Sequence, residues 1–241
     1  MEYALVTGGS KGIGYAVARM LASRGYSLLV TYGHDVARAM ESKTLLEEAG
    51  SPSVEMFEVD QTSPTAANDL VGLIGGRVSE LCAVVLNAGV TLRENFGQID
   101  PKHWEDVFAA NIHFPTFFLQ EIAPQLPKGA SVVFTGSLMG VHPHGTSLAY
   151  GVTKSATHAL VKNLVKFLSP FGVRVNGVAP GFVDTEWQKD KPAEIRASIE
   201  SKTALGRFCT PEEVAGAYAF LLENPYMNGE ILVIDGGYSY K

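Results

Sequence analysis

The 241 residues carry a formal net charge of −6, and 46% of them are apolar against 18% charged. That balance lacks the basic face that nonspecific nucleic-acid binding needs and supplies enough apolar material for one large core, so a single domain over 1–241 is expected. Two cysteines, Cys82 and Cys209, make no disulfide framework, and no apolar run reaches the ~18 residues of a membrane span. With a first strand starting almost at Met1, a soluble cytoplasmic protein is expected.

Short apolar runs at 4–6, 27–32, 54–59, 82–86, 131–135, 173–178 and 230–234 alternate with stretches of helical period. This β/α alternation predicts a doubly wound, seven-stranded parallel sheet with about six helices. After the first run comes Thr7-Gly-Gly-Ser-Lys-Gly-Ile-Gly14, which leads into a helix whose Ile13, Val17, Met20 and Leu21 share one face, with Gly25 placed to end it. Glycines let a backbone approach a pyrophosphate, and a helix N-terminus offers free N–H groups, so an anionic dinucleotide is expected there. The alternative is a tight turn only, since Val17 stands where the G-x-G-x-x-G fingerprint wants its third glycine.

The second strand ends Val30-Thr-Tyr-Gly-His34 with no acid to accept from the ribose hydroxyls of NAD, and Asp35 reads as the cap of the next helix. Asp60 ends the third strand, where an Asp is otherwise a turn former. Further on, Trp104, Val107, Phe108, Ile112, Phe118 and Leu119 form an apolar helical stripe that contains Asn111, a buried amide in need of partners. Pro115, four residues later, has no N–H, so the Asn111 carbonyl loses its helical donor and a kink is expected there.

Ser137 ends the fifth strand, and Tyr150-Gly-Val-Thr-Lys154 puts a phenol and an ammonium one helical turn apart. Bringing a phenol from its pKa of about 10 to about 7 takes roughly 4 kcal/mol, which a fixed cation in a dry cleft can largely supply. His142 and His144 border this segment without a Cys, Asp or Glu beside them, so no metal is expected. They read as pocket rim or exposed loop, and His103, His113 and His158 as structural. Leu160, Leu164 and Leu168 with Val161 and Val165 make a helix apolar over a wide arc, which suggests deep burial or an interface. The stretch 180–208 breaks the pattern after a strand's carboxyl end and reads as a substrate lid, with a surface excursion as the alternative. Leu92, Met139, Phe182 and Trp187 are candidates for an apolar pocket wall or for core.

Thr7-Gly8-x-x-x-Gly12-x-Gly14, Asn87-Ala-Gly89, Asn111, Ser137, Tyr150-x-x-x-Lys154, and Asn176 followed by Pro180-Gly181 together resemble the short-chain dehydrogenase/reductases, over essentially the whole chain. The stretches 175–185, 206–215 and 234–238 are most similar to the 3-oxoacyl-(acyl-carrier-protein) reductases of fatty acid biosynthesis. The resemblance implies a Rossmann fold and a homotetramer of two-fold symmetry in which the Asn111 helix and the Tyr150 helix pack against their copies. It implies catalytic roles for Asn111, Ser137, Tyr150 and Lys154, the last two also touching the cofactor. The remaining cofactor contacts would be Gly8, Ser10, Lys11, Gly12, Ile13 and Gly14 in the first turn, and Tyr32, His34 and Asp60 on the adenosine side. Asn87, Ala88 and Gly89, then Pro180, Gly181, Val183 and Thr185, complete the set. Lys11, as a basic residue in the turn, favours NADP(H) over NAD(H). The expected activity is reduction of a small ketone or 3-oxoacyl thioester, with acyl carrier protein as a candidate partner. Phe171, where relatives often carry a base, and Leu86, where they often carry a second asparagine, depart from the pattern. The competing readings are an NAD-dependent alcohol or sugar dehydrogenase and a noncatalytic dinucleotide sensor.

Overall fold

The computed structural model describes residues 2–143, 145, 147–189 and 191–241. The strands are β1 (Tyr3–Val6), β2 (Ser27–Tyr32), β3 (Val54–Glu58), β4 (Leu81–Leu86), β5 (Ser131–Thr135), β6 (Arg174–Pro180) and β7 (Ile231–Ile234). They form one sheet in the order β3-β2-β1-β4-β5-β6-β7, with every pair parallel. A parallel sheet is covered on both faces, which is why its strands read as apolar runs rather than alternating ones.

The helices are α1 (Gly12–Ala22), α2 (Val36–Glu48), α3 (Ala66–Ile74), α4 (Pro101–Phe108), α5 (Phe114–Ile122), α6 (Leu148–Leu168), α7 (Glu186–Lys189), α8 (Ala193–Lys202) and α9 (Pro211–Glu223). Side chains alternate across the strands. Leu5, Leu29 and Val84 therefore join Leu70, Phe118 and Val161 in one core, while Val6, Val30 and Val85 join Val17, Leu21 and Tyr218 in the other. Phe118 is wholly buried and stacks on Phe114 at 5.7 Å between ring centroids. Among the described residues no helix is long and apolar enough to cross a membrane.

Local chemistry sets the helix boundaries. The Asp35 carboxylate accepts from Arg38 N at 3.0 Å and caps α2, as its position suggested. Thr210 and Glu213 form a reciprocal capping box at the start of α9, with Pro211 next to the cap. One expectation needs correction. The helix around Asn111 does not simply kink at Pro115: residues Ala109–His113 form a π turn, in which the amide of Phe114 reaches back to Ala109 O. Pro115 cannot donate, and inserting one extra residue into the ladder absorbs the missing bond. The stretch 180–208, read as a substrate lid or a surface excursion, adds two helices that the sequence pattern did not announce, α7 and α8. Neither helix buries a residue, so they lie on the body as a flap tied at its base by Asp184 N to Cys209 O and Cys209 N to Phe182 O, each 2.9 Å.

Asn176, a motif residue with no exposed surface, turns out to be a brace. Its amide donates to Met227 O at 2.9 Å and accepts from Glu230 N at 3.0 Å, holding the loop that enters β7. Truncation leaves the part-buried Glu230 N–H without its acceptor and takes one of two donors from Met227 O, which keeps Arg174 Nη1 at 2.9 Å. Asn176→Ala is expected to cost about 2 kcal/mol or more, a fall in Tm of about 4–8 °C by calorimetry, with dinucleotide affinity unchanged.

Candidate active site

The strand order reverses between β1 and β4, the crevice where open α/β sheets bind ligands. The carboxyl ends of these strands are tied together by one hydroxyl. Thr7 Oγ1 accepts from Asn87 N at 2.9 Å and from Ala88 N at 3.0 Å, while the Asn87 amide donates to Thr7 O and Gly8 O. Gly8 and Gly9 spend their N–H groups on Thr31. The first turn of α1 is left without a capping side chain at Lys11, so its amides stay available to an anion.

Packing here is tight enough to demand glycine. A Cβ on Gly14 would lie 2.2 Å from Gly8 O and 2.6 Å from Asn87 Nδ2, and neither can retreat without opening the turn. A Cβ on Gly8, whose φ is +63°, would lie 3.0 Å from Ala88 Cβ. Thr185 closes the other side, its Cγ2 3.4 Å from a Cβ placed on Gly12. An uncapped helix end, a backbone cradle without side chains and a threonine facing it fit a dinucleotide pyrophosphate. Ser10 is buried in the turn and Lys11 stands exposed beside it.

Tyr32 is buried at the end of β2, and the exposed His34 ring lies 3.9 Å from Glu58. Asp60 Oδ1 accepts from both Thr62 N and Thr62 Oγ1, at 2.9 and 2.7 Å, and these bonds hold its carboxyl below the ordinary range. At the far end Gly181 N donates to Ile234 O, and Val183 turns its side chain into the core, so only its backbone faces the crevice.

Tyr150 and Lys154 project from the N-terminal half of α6. Ser147 caps this helix and also bonds Leu92 O and Thr91 Oγ1, which joins the helix start to the loop after β4. The Tyr150 phenol is hydrogen-bonded to Ser137, and Trp187 of α7 meets its ring edge-on at 6.1 Å. Ser137 Oγ accepts from Met139 N at 3.1 Å. Lys154 is 5% exposed; its Nζ donates to Thr135 O at 2.6 Å and sits 5.3 Å from the Tyr150 ring centroid.

The electrostatics differ from the simple expectation. Burial pushes the Tyr150 phenol up to about 12, with the Ser137 hydrogen bond working the other way, and burial brings Lys154 down to about 8. Desolvation is the dominant cause at the phenol, with the Lys154 ammonium 5.3 Å from the ring centroid. At neutral pH the phenol therefore holds its proton.

Asn111 is 5% exposed and its amide is fully used, with Oδ1 accepting from Val90 N at 2.9 Å and Nδ2 donating to Val90 O and Thr153 Oγ1, each at 3.0 Å. A Cβ on Gly89 would lie 2.9 Å from Asn111 Oδ1 and 3.7 Å from Lys154 Nζ. Asn111, Pro115, Lys154 and Thr157 help line a cavity of about 10 Å³, enough for one water.

Sequence reasoning missed Thr135 and Tyr218. Thr135 Oγ1 gives its one proton to Asn87 Oδ1 at 3.1 Å, so at 2.5 Å it must accept from Tyr218. This chain of donors runs from the wholly buried Tyr218 to the glycine turn. A tyrosine in an otherwise apolar face of α9 was the available signal, because a buried phenol needs a partner. Of the apolar wall candidates, Trp187 reaches Tyr150, whereas Phe182 packs on Tyr238 and Phe208. Among the described residues no three His, Cys, Asp or Glu side chains gather as a metal site; His142 is exposed and His144 lies outside the described residues.

A family model described as enoyl-(acyl carrier protein) reductase matches residues 8–239. The chain belongs to the short-chain dehydrogenase/reductase family. It is 33% identical over 242 residues to an uncharacterized oxidoreductase, YmfI, of Bacillus subtilis, covering 98% of both chains. It is 31% identical over 243 residues to the 3-oxoacyl-[acyl-carrier-protein] reductase FabG of Aquifex aeolicus, covering 98% of this chain and 96% of that one. A short-chain dehydrogenase from Burkholderia cenocepacia, solved in complex with NADP, superposes with a TM-score of 0.91 at 28% identity, over 99% of this chain and 98% of that one. This short-chain dehydrogenase/reductase is an oxidoreductase of alcohol and ketone groups that uses a nicotinamide dinucleotide.

The crowding at the first turn sets a test. Gly14→Ala is expected to weaken NADPH binding at least about tenfold by fluorescence titration while circular dichroism stays unchanged, since a 2.2 Å contact with backbone forces the cradle open. Unaltered affinity would place the pyrophosphate elsewhere.

Proposed function

We propose that this enzyme is an NADPH-dependent carbonyl reductase acting on a 3-oxoacyl thioester or a similar small ketone. The observation that carries the reading is a partly buried, protonated phenol at Tyr150, hydrogen-bonded to Ser137 and backed by Lys154, at the carboxyl ends of the strands. Reduction calls for a proton donor, and a phenol held at about 12 is one throughout the neutral range.

Bound NADPH would supply the hydride. The first-turn amides with Ser10 and Thr185 would hold its pyrophosphate, Asn87 to Gly89 would border its ribose, and residues 180–183 its nicotinamide. The Ser137 hydroxyl orients the substrate carbonyl, and Tyr150 gives its proton to the carbonyl oxygen as charge develops there. Lys154 stabilises the phenolate left behind, and the water-sized cavity lined by Asn111 and Lys154 offers a route for its reprotonation. The lack of an acid at the end of β2, with Asp35 spent on capping and Lys11 exposed in the turn, favours the 2′-phosphate of NADPH. Trp187 would form one wall of the substrate pocket, carried by the α7–α8 flap as its lid. Phe171, partly exposed where a base would receive an acidic carrier protein, favours coenzyme A thioesters and free ketones over carrier-bound ones.

Exposed Phe117 on α5 and Phe167 on α6, 52% and 70% accessible, support a homotetramer built on these helices. Light scattering at micromolar concentration should give four times 25.8 kDa, and a monomer overturns this. NADPH oxidation should be seen with acetoacetyl-CoA or with one of a panel of quinones and diketones. It should exceed NADH oxidation, by less in Lys11→Ala, and Tyr150→Phe should lower kcat at least about 100-fold. The reductive rate should hold through neutral pH and fall above about 8 as the Lys154 ammonium loses its proton. An undiminished Tyr150→Phe rate would sink the reading.

A further inference from the structure

His158 continues the α6 row of Tyr150 and Lys154 by one more turn and reaches the same loop from below. Its Nε2 accepts the backbone N–H of Ser137 at 3.3 Å, and it is 8% exposed. The helix thus grips the β5 end at two points on either side of Gly136, with Lys154 on the Thr135 carbonyl and His158 on the Ser137 amide.

The slot for the ring is cut by two glycines. A Cβ on Gly136 would lie 2.2 Å from His158 Nε2, and one on Gly140 would lie 2.7 Å from its Cε1. The backbone around the slot is held independently, by Gly136 N to Val178 O at 2.7 Å and Gly140 N to Ser137 O at 2.9 Å. Because Nε2 accepts, the proton of the neutral ring sits on Nδ1. Burial, then Lys154 and Lys162, bring the imidazole down to about 4, against a hydrogen bond to the Gly140 backbone, so the accepting form persists through neutral pH.

We propose that His158 is a positioning residue, an imidazole acceptor seated between Gly136 and Gly140 that sets where Ser137 stands relative to Tyr150. It touches neither substrate nor cofactor. A histidine in a helix reads as ordinary packing, but packing alone needs no acceptor against a serine amide. This proposal rests on the reductase reading, in which Ser137 orients the carbonyl. A displacement of about an ångström at such a contact can cost up to about 100-fold in rate.

The test is a double-mutant cycle with a conservative variant. His158→Ala should lower kcat about tenfold or more with NADPH affinity unchanged, and His158→Gln, which keeps an acceptor, should recover most of it. Gly136→Ala should lower both Tm and kcat. Gly136→Ala/His158→Ala, where the methyl occupies space the ring has left, should regain the Tm but not the kcat. Imidazole ¹⁵N shifts of the folded wild type should identify Nε2 as the unprotonated nitrogen. His158→Ala with kcat within threefold of wild type, a double mutant that regains both quantities, or a proton on Nε2 would each overturn the proposal. A wild type that turns over no ketone defeats the reductase reading instead, and the ¹⁵N spectrum then still decides whether the acceptor contact exists.

Discussion

A lysine ammonium with 5% of its surface exposed is the constraint around which this molecule is arranged. Burying a charge is costly unless it is paired, and Lys154 meets that cost by donating to the Thr135 carbonyl at the end of β5. Together with His158 on the Ser137 amide, that bond ties α6 to the end of β5. With the helix so set, Tyr150 and His158, each four residues from Lys154, fall against the same loop, one at the Ser137 side chain and the other at its backbone. Burial then brings the lysine down to about 8 and holds the phenol at about 12, so the same desolvation that makes the contact necessary also defines which protons are present at neutral pH.

The opposite wall of the crevice is built by exclusion. Parallel strands end together at the point where their order reverses, and the chain must turn there within van der Waals contact of its neighbour. Gly14 against the Gly8 carbonyl, and Gly89 against Asn111 Oδ1, leave no volume for a methyl group. The polar atoms that remain form directed chains: Tyr218 to Thr135 to Asn87 to Gly8 on one side, and Asn111 to Val90 and Thr153 on the other. Removing a member of either chain takes a partner from its neighbour's polar group.

Much of this was legible in the chain. The seven strands announced themselves as apolar runs because both faces of a parallel sheet are dry, and Asp35 announced a helix start because a short polar side chain satisfies first-turn amides. The i, i+4 spacing of Tyr150 and Lys154 placed them on one face. Other features were hidden. Nothing in the period of residues 180–208 reveals that α7 and α8 form, since neither helix has a buried face. The π turn at Ala109–His113 replaced a simple kink because the ladder can absorb a proline by adding a residue. Thr135 lies 83 residues from Tyr218 and 48 from Asn87, and His158 lies 21 from Ser137, distances over which local pattern carries no signal.

Sequence by itself determined the strand and helix order, the glycine turn and the pairing of a phenol with a cation, because each follows from period, backbone freedom or spacing within a few residues. Only the tertiary structure decided the sign of the phenol's displacement, the partners of Asn111 and the placement of His158 beneath Ser137. Those depend on how much water is excluded and which strand ends meet, and both are set when the two faces of the sheet close.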